Sequence, residues 1–289
     1  MASRYVNRTA LGAAICRLIE QYQPQGTRLF IDPVVKALVG RSVQFLMQLG
    51  VMRALTIKQM DAITKGIYGT QVCRTRYIDN AVQTALAQGN NQLVLLGAGY
   101  DTRPYRLPGI ERVKVYEVDL PAVQDDKRRK LHNLLGRLPE NVSFIPIDFD
   151  IQTLEAVLAS TAFNHSEPSV FIWEGVTQYV TDDAIGQTLS YLGKSAAGST
   201  VLFTYILRSV IERRSNVPGA DRMMDSIANY APWVFGLDPE KVSAFLQGFT
   251  LTLIADVGNA YYQQNYLQPI KRDLVVFEGE RIAHATKAG

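Results

Sequence analysis

Four large apolar residues in unbroken succession, Leu93, Val94, Leu95 and Leu96, run straight into Gly97-Ala98-Gly99. A strand without polar alternation has no face to offer water, so it must be covered on both sides, as strands of parallel sheets are. The two glycines that follow let the backbone turn tightly and let a ligand approach where a Cβ would block it. A polar turn carrying Asp101, Thr102 and Arg103 comes next. Residues 92–107 are therefore the stretch around which the chain is expected to be organised, with a ligand at the carboxyl end of this strand.

Strand-like stretches recur at residues 112–118, 141–147, 169–173 and 200–205, alternating with helical spacing. That alternation predicts an α/β fold with a parallel, doubly wound sheet and ligands at the strands' carboxyl ends. Polar residues fall at those ends: Asp119, Asp148, Glu174 and Tyr205. Asp119 lies twenty residues beyond Gly99, the distance at which an acid closing the second strand can accept bonds from ribose hydroxyls. The third glycine of a dinucleotide fingerprint is missing, because Thr102 stands in its place. A nucleoside cofactor without a pyrophosphate is favoured over a nicotinamide dinucleotide. Glu117 is expected to face the other way from Asp119, in a structural role.

Helical spacing also marks residues 9–21, a segment opening at Asp32-Pro33 and running to Val39, residues 52–65 and residues 68–87. The first three exceed what a nucleotide-binding sheet requires and are expected to cap it over residues 1–67. Arg74 and Arg76 are two apart and point about 200° from each other on a helix, so they serve different purposes.

At 289 residues and 47% hydrophobic composition the chain can bury a large core, and one domain over residues 1–289 is expected. A net charge of +3 without a basic run or aromatic-basic interleaving does not indicate nucleic acid. Cys16 and Cys73 form no CxxC or Cys/His cluster, so neither a disulfide framework nor a metal site is expected. No segment is long and apolar enough to span a bilayer, so no membrane partner is expected and a soluble, reducing, cytoplasmic setting is the default.

The run LLGAGYDTRPYRL at 95–107, with RTRYID before it, YEVDLP after it and FIWEGVTQYV at 171–180, resembles the leucine carboxyl methyltransferase family of S-adenosylmethionine-dependent enzymes and their bacterial O-methyltransferase relatives. The resemblance covers the chain from about Tyr68 onward. It implies a class I methyltransferase sheet, Rossmann-like and seven-stranded, with its last strand antiparallel in a hairpin with the one before. It implies S-adenosylmethionine as cofactor and an N-terminal helical lid. Carried over motif by motif, Arg74 matches the arginine gripping the methionine carboxylate, Gly97 and Gly99 the cofactor turn, and Asp119 the ribose acid. Asp148 matches the acid near the adenine amine, with Phe149 against the ring, and Glu174 the acid near the methionine amino group. From the residues alone, Asp148 could instead cap the next helix, Glu174 could pair with a lysine, and Asp101 could pair with Arg103.

Residues 207–237 break the alternation and read as an inserted helical lid, with Met223, Met224, Tyr230, Trp233 and Phe235 as an apolar lining or as core. Arg208, Arg213 and Arg214 could meet an anionic substrate or form a solvated face. The last two strands are expected at 249–257 and 273–278. Only three histidines exist, His132, His165 and His284, and none stands at an expected strand end. The family resemblance favours a small-molecule or peptide carboxylate as acceptor, already ionised and needing no general base. Tyr205 is the first candidate for positioning the acceptor oxygen and Tyr179 the second. Two other functions compete: O-methylation of a phenolic or enolic hydroxyl in polyketide-like secondary metabolism, and S-adenosylmethionine binding without catalysis.

Overall fold

The computed structural model describes residues 2–149, 151–229 and 231–289, with side chains described from Thr9 onward; Tyr230 of the expected lid lining lies outside the described residues. Five helices precede the sheet: α1 (Ala2–Glu20), α2 (Val35–Leu38), α3 (Arg41–Gln48), α4 (Gly50–Ile63) and α5 (Ile67–Ala87). The sheet then begins with β1 (Gln92–Leu96) and β2 (Lys114–Asp119), joined only by two 3-10 turns, followed by α6 (Pro121–Leu135). β3 (Val142–Pro146), α7 (Leu154–Ala159), β4 (Ser169–Trp173), α8 (Asp182–Leu192) and β5 (Thr200–Ile206) continue the alternation. After α9 (Arg208–Ile211), α10 (Ala220–Ile227) and α11 (Val242–Gln247), the chain closes with β6 (Leu251–Val257), α12 (Asn259–Tyr262) and β7 (Glu280–Lys287).

The seven strands lie in the order β3-β2-β1-β4-β5-β7-β6. Strands β1 to β5 pair in parallel, whereas β7 runs antiparallel to both β5 and β6. The expected fold class is thus observed. β1 is covered on both faces as its composition required: Leu93 and Leu95 pack into a core with α1 and α5, and Val94 and Leu96 into a second core with α7, α8 and α11.

One expectation about the strands needs correction. The last strand is not 273–278 but Glu280–Lys287. Residues 275–277 instead run beside the start of α5, where the Phe277 amide donates to Gly66 O at 3.1 Å and Thr70 Oγ1 at 2.9 Å. Gly69 makes room for this passage, since a Cβ there would lie 2.0 Å from Val275 O. The true strand was overlooked because small and polar residues, Ala283, Ala285, His284 and Thr286, fill it rather than large apolar ones. Between β1 and β2 no α-helix intervenes, so no helix amino terminus of length stands over the glycine turn to receive a pyrophosphate.

Residues 207–237 leave the sheet at Leu207 and return at Leu237, where the two pair in a parallel bridge. Met224 and Trp233 pack with Ile206, Val210, Ala220, Ile227 and Phe277 in a small core of their own, and Phe235 joins the core beneath α8. Arg213 and Arg214 meet Asp225 and Glu212 of the same segment, and Arg208 meets Asp238 just beyond it.

Candidate active site

Glycines 97 and 99 both adopt left-handed backbone, with φ of +67° and +42°. The turn is closely covered. A Cβ on Gly97 would come 2.4 Å from Val176 Cγ2, and one on Gly99 would lie 3.4 Å from Ala10 Cβ in α1. Asp119 pins this turn to β2: its Oδ2 accepts from Gly99 N at 2.5 Å and its Oδ1 from Leu120 N at 2.6 Å. Burial raises the Asp119 carboxyl above its ordinary value, with the two amide bonds pulling the other way. Each carboxylate oxygen keeps a further lone pair for a ligand hydroxyl.

Glu174, the residue after β4, joins two arginines. Its Oε1 accepts from Arg74 Nε at 2.7 Å and its Oε2 from Arg103 Nη1 at 2.6 Å. Burial opposes its ionisation, but Arg103 and Arg74 outweigh that and hold the carboxyl down at about 2. Gly175, at φ +69°, lies directly against the Arg74 guanidinium, with its would-be Cβ 3.6 Å from Nη2. The Gly175 amide donates to Thr204 Oγ1 at 2.7 Å, which ties the turn to β5. Each residue of the Trp173–Val176 run therefore has a separate task, with Val176 covering Gly97.

Arg74 sits inside α5 and is buried, whereas Arg76 is exposed and donates to Leu29 O at 2.9 Å, so the two do serve different purposes. Arg74 Nη1 donates to Glu280 Oε1 at 2.6 Å and Nη2 to Gln71 Oε1 at 2.8 Å. Three of its five N–H groups are engaged, which leaves two for an incoming carboxylate. Burial works against the Arg74 cation, but Glu280 and Glu174 overcome it and raise its pKa.

The pairs extend into a network. Arg103 reaches Asp79 through Nε at 2.8 Å and Asp101 through Nη1 at 2.5 Å. Arg106 grips Asp79 with Nη1 and Nη2 at 2.6 and 2.9 Å. Thr102 donates to Asp32 Oδ2 at 2.6 Å, whose Oδ1 accepts from Val35 N at 2.9 Å and opens α2. Arg17 of α1 lies 3.8 Å from Asp32 and donates to Tyr100 O at 2.5 Å. The residue that broke the dinucleotide fingerprint thus ties the glycine turn to the helical cap. The network holds four guanidinium cations, at 17, 74, 103 and 106, and five carboxylates, at 32, 79, 101, 174 and 280, for a net charge of −1.

Asp148 follows β3 at the same edge, next to Ile147, whose amide donates to Asp119 O at 3.0 Å. It does not cap α7, because Thr153 does so by accepting from Ala156 N at 3.2 Å. Phe149 stacks on Trp173 at 6.5 Å with an interplanar angle of 27°. Glu117 stands two residues before Asp119 and so lies on the same face of β2, against the expectation; its partners are structural, Lys127 at 2.7 Å and Tyr105 Oη, from which it accepts at 2.8 Å.

Tyr205 and Tyr179 part company. Tyr205 is fully buried and its hydroxyl donates to Asp256 at 2.9 Å, where Arg281 also binds at 3.1 Å. Tyr179 packs on the core of the 207–237 excursion, with Glu280 and Arg74 within electrostatic reach. Burial raises the Tyr179 phenol, with Trp233 and Gln178 beside its hydroxyl drawing it down, so it stays protonated near neutral pH.

Glu280, Asp79, Arg106 and Arg17 were not among the expected site residues. A signal for Glu280 existed: a strand that runs backwards begins at the edge where the parallel strands end, so its first residue belongs to the site.

Comparison with known proteins bears on the family and the fold. Residues 10–193 match the family model described as leucine carboxyl methyltransferase. A Streptomyces avermitilis protein named as a candidate S-adenosyl-L-methionine-dependent methyltransferase is 34% identical over 173 residues, covering 59% of this chain and 58% of its own. A Mycobacterium tuberculosis protein of the same description is 32% identical over 209 residues, covering 70% of this chain and 65% of its own. The chain thus spans between about half and two thirds of the length of the curated relatives it matches. Among solved structures, a candidate methyltransferase from Thermobifida fusca superposes with a TM-score of 0.59 at 17% identity, over 83% of this chain and 90% of its own. A Streptomyces avermitilis protein of the DUF574 family gives 0.55 at 15% identity, over 93% and 99%. At those identities the superpositions speak for the fold alone.

Proposed function

This chain belongs to the leucine carboxyl methyltransferase family, and from that premise we propose that it uses S-adenosylmethionine to methylate an oxygen, foremost the carboxylate of a small metabolite or peptide. The cofactor reading rests on the net charge of −1 in the buried network. S-adenosylmethionine carries a net +1, a sulfonium and an ammonium against one carboxylate, so it is opposite in sign to a site whose carboxylates, Asp119 among them, outnumber its guanidiniums, and low-dielectric surroundings strengthen that attraction. The donor set fits part by part: two remaining N–H groups of Arg74 for the carboxylate, Glu174 for the ammonium, Asp119 for the ribose, and Asp148 with Phe149 for adenine.

Bound there, S-adenosylmethionine supplies an electrophilic methyl group for an in-line displacement, in which the C–S bond breaks as the O–C bond forms. What the chain contributes is alignment and exclusion of water. Two features support an acceptor that needs no base. Among the described residues no histidine stands at the site: His165 packs on Tyr191 with rings 4.5 Å apart, and burial lowers His284 to about 4 beside Tyr77. His132 lies on α6. Tyr179, a protonated phenol on the acceptor side, can donate to the acceptor oxygen, and we assign it that role ahead of Tyr205, whose hydroxyl is engaged by Asp256.

A hydroxyl acceptor is the second reading. In its favour stands Glu280, a buried carboxylate engaged by Arg74 through only Oε1. One experiment separates the readings. The protein is incubated with methyl-labelled S-adenosylmethionine and fractionated metabolite extracts, and the products are treated with mild alkali. Release of labelled methanol supports a methyl ester; alkali-stable label supports a hydroxyl acceptor. Binding of cofactor with no S-adenosylhomocysteine formed in any fraction would support binding without catalysis.

A further inference from the structure

Helices α3 and α4 pack against each other and meet at Leu49-Gly50. Around that turn the chain exposes what it elsewhere buries. Phe45 is 66% exposed, Leu46 39%, Leu49 53%, Val51 80% and Leu55 44%. These are five large apolar side chains within eleven residues. The fourteen residues of α4 include none that is buried. Of the fourteen exposed large apolar residues among those described, seven fall between Ile31 and Ile63, so the exposure is one local patch rather than surface background.

Charge is arranged around the patch and not within it. Residues 42–52 carry no charge, and Arg41 and Arg53 bracket them. From residue 33 to 65 the cations are Lys36, Arg41, Arg53, Lys58 and Lys65, against the single carboxylate Asp61, for a net charge of +4. The whole chain is only +3, so every other segment together sums to −1. Arg53 is engaged within the fold, its Nη1 capping the end of α3 through Met47 O at 2.7 Å and Gln48 O at 2.9 Å and its guanidinium 4.8 Å from the Tyr22 ring, so the flanking cations that face solvent are Arg41, Lys58 and Lys65.

We propose that the α3–α4 turn is a membrane-surface anchor, whose apolar tip enters the headgroup region of an anionic bilayer while the flanking cations meet lipid phosphates. An uncharged apolar tip ringed by Lys and Arg is the composition that interfacial helices use, with the long cationic stems reaching back to the headgroups. A second copy of this chain is the poorer occupant, because an isologous contact would set +4 against +4. No helix among the described residues is long and apolar enough to cross a membrane, and surface docking requires none. Gly219, at the start of α10, lies against Lys65, where its would-be Cβ is 2.9 Å from the Lys65 amide nitrogen.

The test is sedimentation of the full chain with vesicles of phosphatidylcholine alone, or of phosphatidylcholine containing phosphatidylglycerol. Binding to the anionic vesicles is expected to be at least about tenfold tighter and to be released by high salt. The double variant F45D/V51D is expected to lose vesicle binding while its S-adenosylmethionine affinity, measured by calorimetry, is unchanged. K58E/K65E is expected to lose the preference for anionic lipid. Failure to bind either vesicle overturns the proposal, as does unaltered binding by F45D/V51D. A dimer in light scattering that F45D/V51D dissolves would overturn it too, by giving the face to a second copy.

Discussion

Arg74 Nη1 lies 2.6 Å from Glu280 Oε1, which joins the middle of α5 to the first residue of β7. The contact exists because β7 is antiparallel and starts at the edge where β1, β2 and β4 end. Glu280 lies outside residues 10–193, the part that matches the family model, yet it supplies one of the five carboxylates of the network. Replacing it with glutamine keeps the shape and a hydrogen bond to Arg74 but takes the network from −1 to zero. Glu280→Gln is expected to weaken S-adenosylmethionine binding roughly tenfold, or about 1.4 kcal/mol. S-adenosylhomocysteine, which lacks the sulfonium charge, should lose clearly less. Calorimetry with both ligands checks this, and equal losses would sink the charge argument.

Arg74 and Asp119 should separate binding from stability. Arg74→Ala would strip the buried Glu280 and the half-buried Glu174 of a shared partner, and breaking a buried pair costs about 3–5 kcal/mol of stability. Arg74→Lys is the cleaner test, since it keeps the charge but loses the planar fork. It is expected to fold and to bind S-adenosylmethionine about 1–3 kcal/mol more weakly. Asp119→Ala should show a similar binding loss together with destabilisation, because the Gly99 and Leu120 amides lose their acceptor. Wild-type affinity in both Arg74→Lys and Asp119→Ala would remove the assigned cofactor site.

The two glycines of the turn should respond unequally. Alanine at either must adopt positive φ, at a cost of about 1 kcal/mol. Gly97→Ala also drives a methyl to within 2.4 Å of Val176, whereas Gly99→Ala meets nothing closer than 3.4 Å. Overpacking of that kind adds about 1–3 kcal/mol. Urea midpoints should therefore fall further for Gly97→Ala than for Gly99→Ala, and Val176→Ala in the same chain should recover the difference but not the backbone part. Equal midpoints for the two single variants would contradict the packing described for Val176.

How much of this could be read in the sequence follows from how local each signal is. Leu93–Leu96 with its two glycines is a local statement, and the strand, its double coverage and the positive φ angles all follow from it. Asp119 and Glu174 were legible because a strand's carboxyl end is fixed by the strand itself. Asp79, Arg106 and Arg17 were not, because their partners stand 27 residues away in one case and 83 in another, and only the folded chain brings them together. Glu280 was hidden by a misplaced strand: LVVF at 274–277 has stronger β character than the Ala- and Thr-rich segment that enters the sheet, and packing against Gly66 and Thr70 of α5 overrides that preference. Tyr205 illustrates the reverse error. Its place at the end of β5 was correct, but a strand position does not say that an aspartate on β6 will engage the hydroxyl.

His284 predicts a pH dependence that is independent of ligand. It sits on β7 with Nδ1 3.0 Å from the Tyr77 hydroxyl, and burial lowers its pKa from 6.5 to about 4. The folded state thus holds the imidazole neutral where the unfolded chain would protonate it. Stability from this source is fully present above pH 6.5 and is lost as pH falls toward 4. Linkage puts the loss at about 2 kcal/mol between pH 7 and pH 5. Glu174 adds nothing in that window, since its depressed carboxyl costs stability only below the ordinary value of 4.5. Urea denaturation at pH 7 and pH 5 should therefore show a loss in the wild type that His284→Gln largely abolishes, because an amide can still accept from Tyr77 without titrating. A variant that loses as much stability as the wild type over the same interval would move the proton uptake elsewhere.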